Sequence, residues 1–290
     1  MRKKIIVLGV NGMAGHVIFT GLKQEDKRHE VYGIARTDSI VKPSIIMDVS
    51  DFQALETVIN NIQPDIIINC VGVLNKSAEE HPDEAILLNS YLPHFLESVT
   101  KHTTSKVIHI STDCVFSGDE GAYTESSFKN GRGFYAQSKA LGEIVNHKDL
   151  TFRTSIIGPE LNLNGIGLFQ WFSKQKENIF GYHKAIWTGI TTIELLNAIK
   201  NVIDNDLTGL YHLVNEVKIS KFELVSLLSM VFETSNTIIS NDEYKVDKSL
   251  INTRVDFQFK VKKYDEMIYE MKEWILSHKE YYPHYTPFNF

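Results

Sequence analysis

Only two cysteines occur in the 290 residues, Cys70 and Cys114, and they form no CxxC pair. A disulfide scaffold and a thiolate metal cluster are excluded, and buried free thiols in a reducing compartment are expected. Positive charge is in deficit as well: 30 Lys and Arg stand against 36 Asp and Glu, a formal charge of −6. No basic field is left to attract nucleic acid. Long apolar runs are missing. The first, Ile5-Ile-Val-Leu-Gly-Val, is broken at Asn11, short of the roughly 7–15 residues of a secretory core. No stretch nears the roughly 18 apolar residues of a membrane helix. A soluble, cytoplasmic protein with no membrane partner is expected. None of the 11 histidines falls in an HExxH or similar spacing, so no metal site is expected.

What is present is a regular alternation. Short β-branched runs at Ile5–Leu8, Val31–Ala35, Ile45–Met47, Ile66–Asn69, Val107–Ser111 and Phe152–Ile157 are the strand candidates. Between them, helical periodicity covers Met13–Gln24, Phe52–Asn61, Pro82–His102 and Phe134–Asn146. Continuous apolar runs of this kind suit parallel strands buried on both faces. The expectation is an α/β protein: a Rossmann-type, doubly wound parallel sheet over residues 1–157. Residues 158–290 then form a smaller mixed α/β substrate lobe, interleaved with the first, with helices near Thr192–Asp204, Lys221–Phe232 and Tyr264–His278. The tail from Tyr281 to Phe290 is too aromatic for a solvated end, so it is expected to pack on the body or on a partner subunit.

Gly9, Gly12 and Gly15 directly follow the first strand and open the first helix, giving G-x-x-G-x-x-G. Such glycines allow a tight turn and bring backbone N–H groups to a pyrophosphate at the helix N-terminus. Asn11 and Met13 lie in the same turn and share the cofactor site. After the second strand, where NAD enzymes carry an acid for the ribose hydroxyls, the residue is Arg36. A guanidinium there can clamp a 2′-phosphate, which favours NADP over NAD. Asp48 and Val49, after the third strand, are placed to meet the adenine edge, while Asn69, Cys70, Val71 and Gly72 would line the ribose floor.

Tyr135-Ala-Gln-Ser-Lys139 sets a phenol and an ammonium four residues apart on one helical face. The ammonium can stabilise a phenolate, making the phenol a proton donor near neutral pH, and can also hold the nicotinamide ribose. The fifth strand ends in Ser111-Thr112-Asp113, at the edge of a doubly wound sheet where ligands bind. A hydroxyl from Thr112 and the phenol of Tyr135 can together polarise one carbonyl oxygen for hydride attack.

The glycine motif, Asp48, Asn69-Cys-Val-Gly72, Ser111-Thr-Asp-Cys-Val-Phe-Ser-Gly118, Tyr123-Thr-Glu125 and Tyr135-xxx-Lys139 resemble the extended short-chain dehydrogenases, specifically the dTDP-4-dehydrorhamnose reductase group. The resemblance covers essentially the whole chain and is densest before residue 160. It implies a catalytic triad of Thr112, Tyr135 and Lys139, hydride from NADPH to the 4-keto carbon of a nucleotide-linked 6-deoxyhexose, and a proton from Tyr135. A homodimer is implied too. Asp113, Val115 and Phe116 would flank the sugar.

Two positions depart from the group's usual Ser-Thr-Asp-Tyr-Val-Phe-Asp-Gly: Cys114 replaces the tyrosine and Ser117 the second aspartate. Both border the expected sugar pocket, so another sugar is open, and Cys114 in place of a glutamate argues against 4,6-dehydratase chemistry. Arg153 and Trp187 are candidates for the diphosphate and for stacking on base or sugar, and equally for ion pairing and core packing. Two alternatives stand beside the reductase: a nucleotide-sugar epimerase with tightly bound NAD, which Arg36 opposes, and a non-catalytic NADP-binding regulatory subunit, which Tyr135 and Lys139 oppose.

Overall fold

In the computed structural model, which describes residues 2–285, the apolar runs of the first half are strands of one seven-stranded sheet. They are β1 (Lys4–Leu8), β2 (Glu30–Ala35), β3 (Ile45–Ile46), β4 (Ile66–Asn69), β5 (Lys106–Thr112) and β6 (Leu150–Thr154). The later strands are β7 (Ile156–Ile157), β8 (Ile179–Tyr182), β9 (Ala185–Trp187), β10 (Ile190–Thr191), β11 (Gly209–His212), β12 (Ile219–Ser220), β13 (Ile238–Asn241) and β14 (Val246–Asp247). Every pairing in the main sheet is parallel, in the order β11-β6-β5-β4-β1-β2-β3. The order reverses between β1 and β4, which opens a crevice at the strand C-termini.

The helices are α1 (Met13–Thr20), α2 (Phe52–Ile62), α3 (Asn75–Glu80), α4 (Pro82–Ala85), α5 (Leu92–Val99), α6 (Gly133–Leu141), α7 (Leu168–Ser173), α8 (Thr192–Asp204), α9 (Lys221–Val231) and α10 (Tyr264–Ser277). Alternate residues of β1 divide between two cores, as strand geometry requires. Ile5 and Val7 face α1 and α8, whereas Ile6 and Leu8 face α2 and α5. Helices on both faces thus bury the sheet. Strand β11 and helix α8, both after residue 157, complete this body, while the pairings β12-β9-β14 and β13-β8 belong to the second half and β10-β7 joins the two.

Several boundaries differ from the sequence expectation, three of them near the crevice. Helix α6 stops at Leu141 rather than Asn146 because it descends onto the segment 86–91, where a Cβ at Gly142 would stand 1.8 Å from the Asn89 carbonyl oxygen. The expected strand 152–157 divides at Ser155, and its second part, β7, pairs with β10. Between α4 and α5 the helix widens into a π turn, Ile86–Tyr91. That turn points Asn89 inward, where its amide donates to the Val73 carbonyl and to Ser138 Oγ and accepts from Val73 N–H.

Of the aromatic tail, Tyr281, Tyr282 and Tyr285 are buried against the body, and residues 286–290 lie outside the described part. Tyr282 is tied to the glycine turn through His16. The imidazole donates from Nδ1 to the Gly12 carbonyl (2.8 Å) and accepts from the Tyr282 hydroxyl at Nε2 (2.6 Å). Among the described residues no helix is long and apolar enough to cross a membrane, and no group of three or more His, Cys, Asp or Glu can hold a metal ion.

Candidate active site

The glycine turn is built by backbone constraint. Gly9 sits at φ +79°, a conformation L side chains rarely adopt, and its N–H donates to the Ile34 carbonyl at the end of β2. A Cβ at Gly15 would stand 2.1 Å from the Gly9 carbonyl oxygen, so α1 approaches the turn as only glycine allows. Asn11 links this turn to the loop after β2, donating to the Thr37 carbonyl and accepting from Ser39 Oγ (2.6 Å). A cavity of about 380 Å³ opens here, lined by Gly9, Gly12, Arg36, Asp48, Val71 and Gly72 among others. The backbone cradle, the open guanidinium and the apolar walls fit an adenosine phosphate. Asp48 is held below the usual carboxylate range by the Ser50 N–H and hydroxyl, which fix it in a turn beside Arg36.

A second cavity, of about 550 Å³, continues past Gly12 and Met13 to Thr112, Tyr135 and Lys139. Thr112 ends β5 and its Oγ1 accepts from Cys114 N–H (3.1 Å). Tyr135 lies one turn into α6, whose N-terminus is held by Glu79 accepting from Tyr135 N–H (3.2 Å). Thr112 and Tyr135 line this one cavity, and burial, with Cys114 and Asp113 beside it, raises the phenol's pKa, so it keeps its proton. Lys139 comes from the same face of α6, one turn on. Its ammonium donates to the Ile110 carbonyl (2.6 Å) and lies 3.4 Å from His109 Nε2. Burial draws Lys139 down to about 8, offset by Glu143 and Cys70. Cys70 itself is a buried thiol pushed up to about 12, and it forms no disulfide. Hydroxyl, phenol and ammonium therefore share one cleft with a dinucleotide cradle, an arrangement suited to protonating an oxygen beside a hydride donor.

The chain matches the model of the RmlD substrate binding domain over residues 2–244. It belongs to that family. A relative in Haloferax volcanii, "Probable low-salt glycan biosynthesis reductase", is 24% identical over 81% of this chain and 82% of its own length. Methionine adenosyltransferase 2 subunit beta of Bos taurus is 21% identical over 79% and 72%, respectively. Among solved structures, a dTDP-4-dehydrorhamnose reductase of Bacillus anthracis in complex with NADP superposes with a TM-score of 0.81, covering 94% of this chain and 100% of that one at 20% identity. A hypothetical dTDP-4-dehydrorhamnose reductase of Sulfolobus tokodaii reaches 0.76 at 26% identity, covering 91% and 98%.

Within this RmlD-type frame, three of the expected substrate contacts take other places. Arg153 is fully buried and points beneath the cleft, where Nε and Nη2 donate to the two oxygens of Glu143 (2.7 and 2.6 Å) and Nη1 to His212 Nε2 (2.8 Å). Three of its five N–H donors are engaged there, and it lines neither of the cleft cavities. Trp187 is also buried, stacked on Tyr264 at 5.9 Å, so it is no open platform for a base. Val115 is fully buried and supports the loop, whereas Phe116, stacked on Tyr123 at 4.2 Å, lines a cavity with Cys114 and Tyr135. Asp113 does border the cleft and accepts from the Thr112 hydroxyl.

Sequence reading missed others. Asn89 clamps the loop 71–74 to α6, and His109, met by Asn69 of the expected ribose floor, lies against Lys139. Lys221, at the start of α9, and Lys248, after β14, reach the cleft from the second half of the chain. No local pattern marks either lysine, since a helix-opening Lys and a Lys in a loop both read as solvated.

Proposed function

We propose that this RmlD-family chain is an NADPH-dependent reductase of a nucleotide-linked 4-keto-6-deoxy sugar. The convergence of Thr112, Tyr135 and Lys139 on one cavity that continues from the glycine turn carries this reading. When bound, NADPH supplies the hydride that reduces the carbonyl carbon. Thr112 donates to the carbonyl oxygen, and Tyr135 transfers its phenolic proton to that oxygen as negative charge develops. The raised phenol pKa keeps that proton in place beforehand, and the Lys139 ammonium stabilises the phenolate left behind. Arg36 favours the 2′-phosphate of NADPH over the free hydroxyl of NADH. Residues 1–157 hold the cofactor and the interleaved lobe 158–290 the sugar nucleotide. A homodimer accompanies this reading, through exposed apolar side chains such as Tyr91, Phe134 and Leu141 on two adjacent helices.

A second reading, a regulatory subunit, is favoured by the relatives named as beta subunits of methionine adenosyltransferase 2. The two separate in one assay. NADPH absorbance is followed with a panel of 4-keto-6-deoxy nucleotide sugars for wild type and Tyr135→Phe. A reductase turns over at least one member and loses most of that rate in the variant. No oxidation with any member, or an unimpaired variant, removes the catalytic reading.

A further inference from the structure

We propose that Tyr282 and Tyr285 are positioning residues for the cofactor: their hydroxyls tie the two walls of the cleft to one short segment, so that NADP binding and the docking of that segment are coupled. The coupling holds whichever carbonyl is reduced.

One wall is the glycine turn. Trp274 Nε1 in α10 donates to the Tyr282 hydroxyl (2.9 Å), which donates to His16 Nε2 (2.6 Å), and His16 Nδ1 donates in turn to the Gly12 carbonyl (2.8 Å). The same carbonyl accepts from His16 N–H (3.1 Å), so it is held from two sides. A trans peptide is planar, with its carbonyl and its N–H pointing opposite ways. Holding the Gly12 carbonyl along α1 therefore aims the Met13 N–H out of the helix start, where an N-terminus receives phosphate oxygens. Gly12 and Met13 both line the cavity of about 550 Å³.

The other wall is the loop 158–167. The Tyr285 hydroxyl accepts from Glu160 N–H (3.0 Å) and donates to Gln170 Oε1 (2.5 Å), and the Gln170 amide donates back to the Leu163 carbonyl (2.9 Å). Glu160 closes the loop by accepting from Gly167 N–H (2.7 Å). Glu160, Leu161 and Gly167 line the same cavity as the glycine turn. The walls meet there, since a Cβ at Gly167 would stand 2.4 Å from Met13 Cε. Tyr282 and Tyr285 are both buried, with ring centres 5.9 Å apart. A buried hydroxyl that serves a donor and an acceptor at once holds each in place, and its loss leaves both unpaired. The segment 281–285 thus sets the distance between the walls. Loosening it lowers the fraction of molecules whose cleft fits the cofactor, and the apparent affinity falls by that fraction.

Binding in the full chain tests the coupling. NADP+, NADPH and NADH are titrated calorimetrically into wild type, Tyr282→Phe, Tyr285→Phe and the double variant, at a temperature where circular dichroism shows each folded. Each single variant keeps its ring and should bind all three cofactors about 3- to 10-fold more weakly, the equivalent of one hydrogen bond, and the double variant more weakly still. NADPH and NADH should lose affinity equally, unlike in Arg36→Ala. Tyr281→Phe is the control: its hydroxyl accepts from Gln24 Nε2 (3.0 Å), which lines neither cavity, and cofactor affinity should stay at the wild-type value. Because coupling is reciprocal, NADP+ should also slow hydrogen exchange at the Tyr282 and Tyr285 amides of wild type, a measurement that needs no variant. Wild-type affinity in the double variant overturns the coupling, as does exchange at these amides that NADP+ leaves unchanged. An equal loss in Tyr281→Phe would reduce the effect to a loosened core, and a loss confined to NADPH would move it to the 2′-phosphate; either result overturns the assignment.

Discussion

Arg153 offers the sharpest separation between a substrate-binding residue and a buried support. Its guanidinium makes a bidentate pair with Glu143, donates to the neutral imidazole of His212 and lies 5.0 Å from the Phe116 ring centre. Glu143 also accepts from Ser111 Oγ (2.7 Å) and Lys129 Nζ (3.1 Å). Arg153→Met removes the charge while keeping an unbranched apolar stem. It leaves a buried carboxylate with one hydroxyl and one half-exposed ammonium. Breaking a buried pair in this way costs about 3–5 kcal/mol, and Lys129 places the case near the lower end. At roughly 2–4 °C per kcal/mol for a chain of this size, the melting temperature should fall by about 6–12 °C. Adding Glu143→Leu, which removes the stranded charge, should recover much of the loss, because the two effects are coupled. Thermal unfolding followed by circular dichroism reads all three proteins. At a temperature where the variant is folded, its KM for the sugar nucleotide should be close to that of wild type. A melting temperature within about 1 °C of wild type, together with a raised KM, would refute the buried role and return Arg153 to the substrate.

Arg36→Ala should weaken NADPH by about 10- to 150-fold, the equivalent of one charged hydrogen bond, and leave NADH nearly unchanged; equal losses in a fluorescence titration would reject the 2′-phosphate assignment. The reduction rate should decline as pH rises through about 8, where Lys139 gives up its proton and the phenolate loses its stabilising charge. The groups facing Lys139 are His109, Cys70 and Glu143. A pH–rate profile flat from 7 to 10 would show that Lys139 does not act through its charge.

Residues whose roles follow from backbone position were legible in the chain. Gly9 and Gly15 are demanded by a turn between a strand and a helix, and Thr112, Asp113 and Arg36 stand at strand ends facing the crevice. Side-chain direction was less accessible. Arg153 sits near the end of β6, but strand alternation decides whether its head enters the cleft or goes beneath it, and the partner that decides, Glu143, follows a helix end that sequence periodicity placed too late. Gly142 looked like an interior glycine of that helix, and only the Asn89 backbone, more than fifty residues upstream, makes it a stop. Lys221 and Lys248 lie over a hundred residues beyond Asp113. Their approach to the cleft is a product of how the second half folds back, which no short motif records.

Buried histidines hold this site together, and their charge state gives the fold a diagnostic acid response. His16 links Gly12 to Tyr282, and His212 accepts from Arg153 while donating to the Ile251 carbonyl. Both imidazoles use one nitrogen as acceptor, so both must be uncharged. Burial lowers each to about 4, and lowers His109 as well. An unfolded histidine takes its proton near 6.5, the folded one near 4, so between those values the unfolded chain binds more protons and folding loses stability as pH falls. Each such shift is worth on the order of 2–3 kcal/mol, a large share of a typical 5–15 kcal/mol. Carboxylates with depressed values, such as Glu143 and Asp48, also lose their contribution in acid, but only below about 4.5. From pH 7.5 to 5.0 these histidines oppose two carboxyls that burial raises, Asp113 and Glu160, which gain stability as pH falls. With three buried imidazoles against two carboxyls, the melting temperature should still fall below pH 6.5. A flat curve over that interval would mean that the imidazoles can accept protons in place. The Gly12–His16–Tyr282 link would then have to open without loosening the glycine turn, contrary to the bonds that close it.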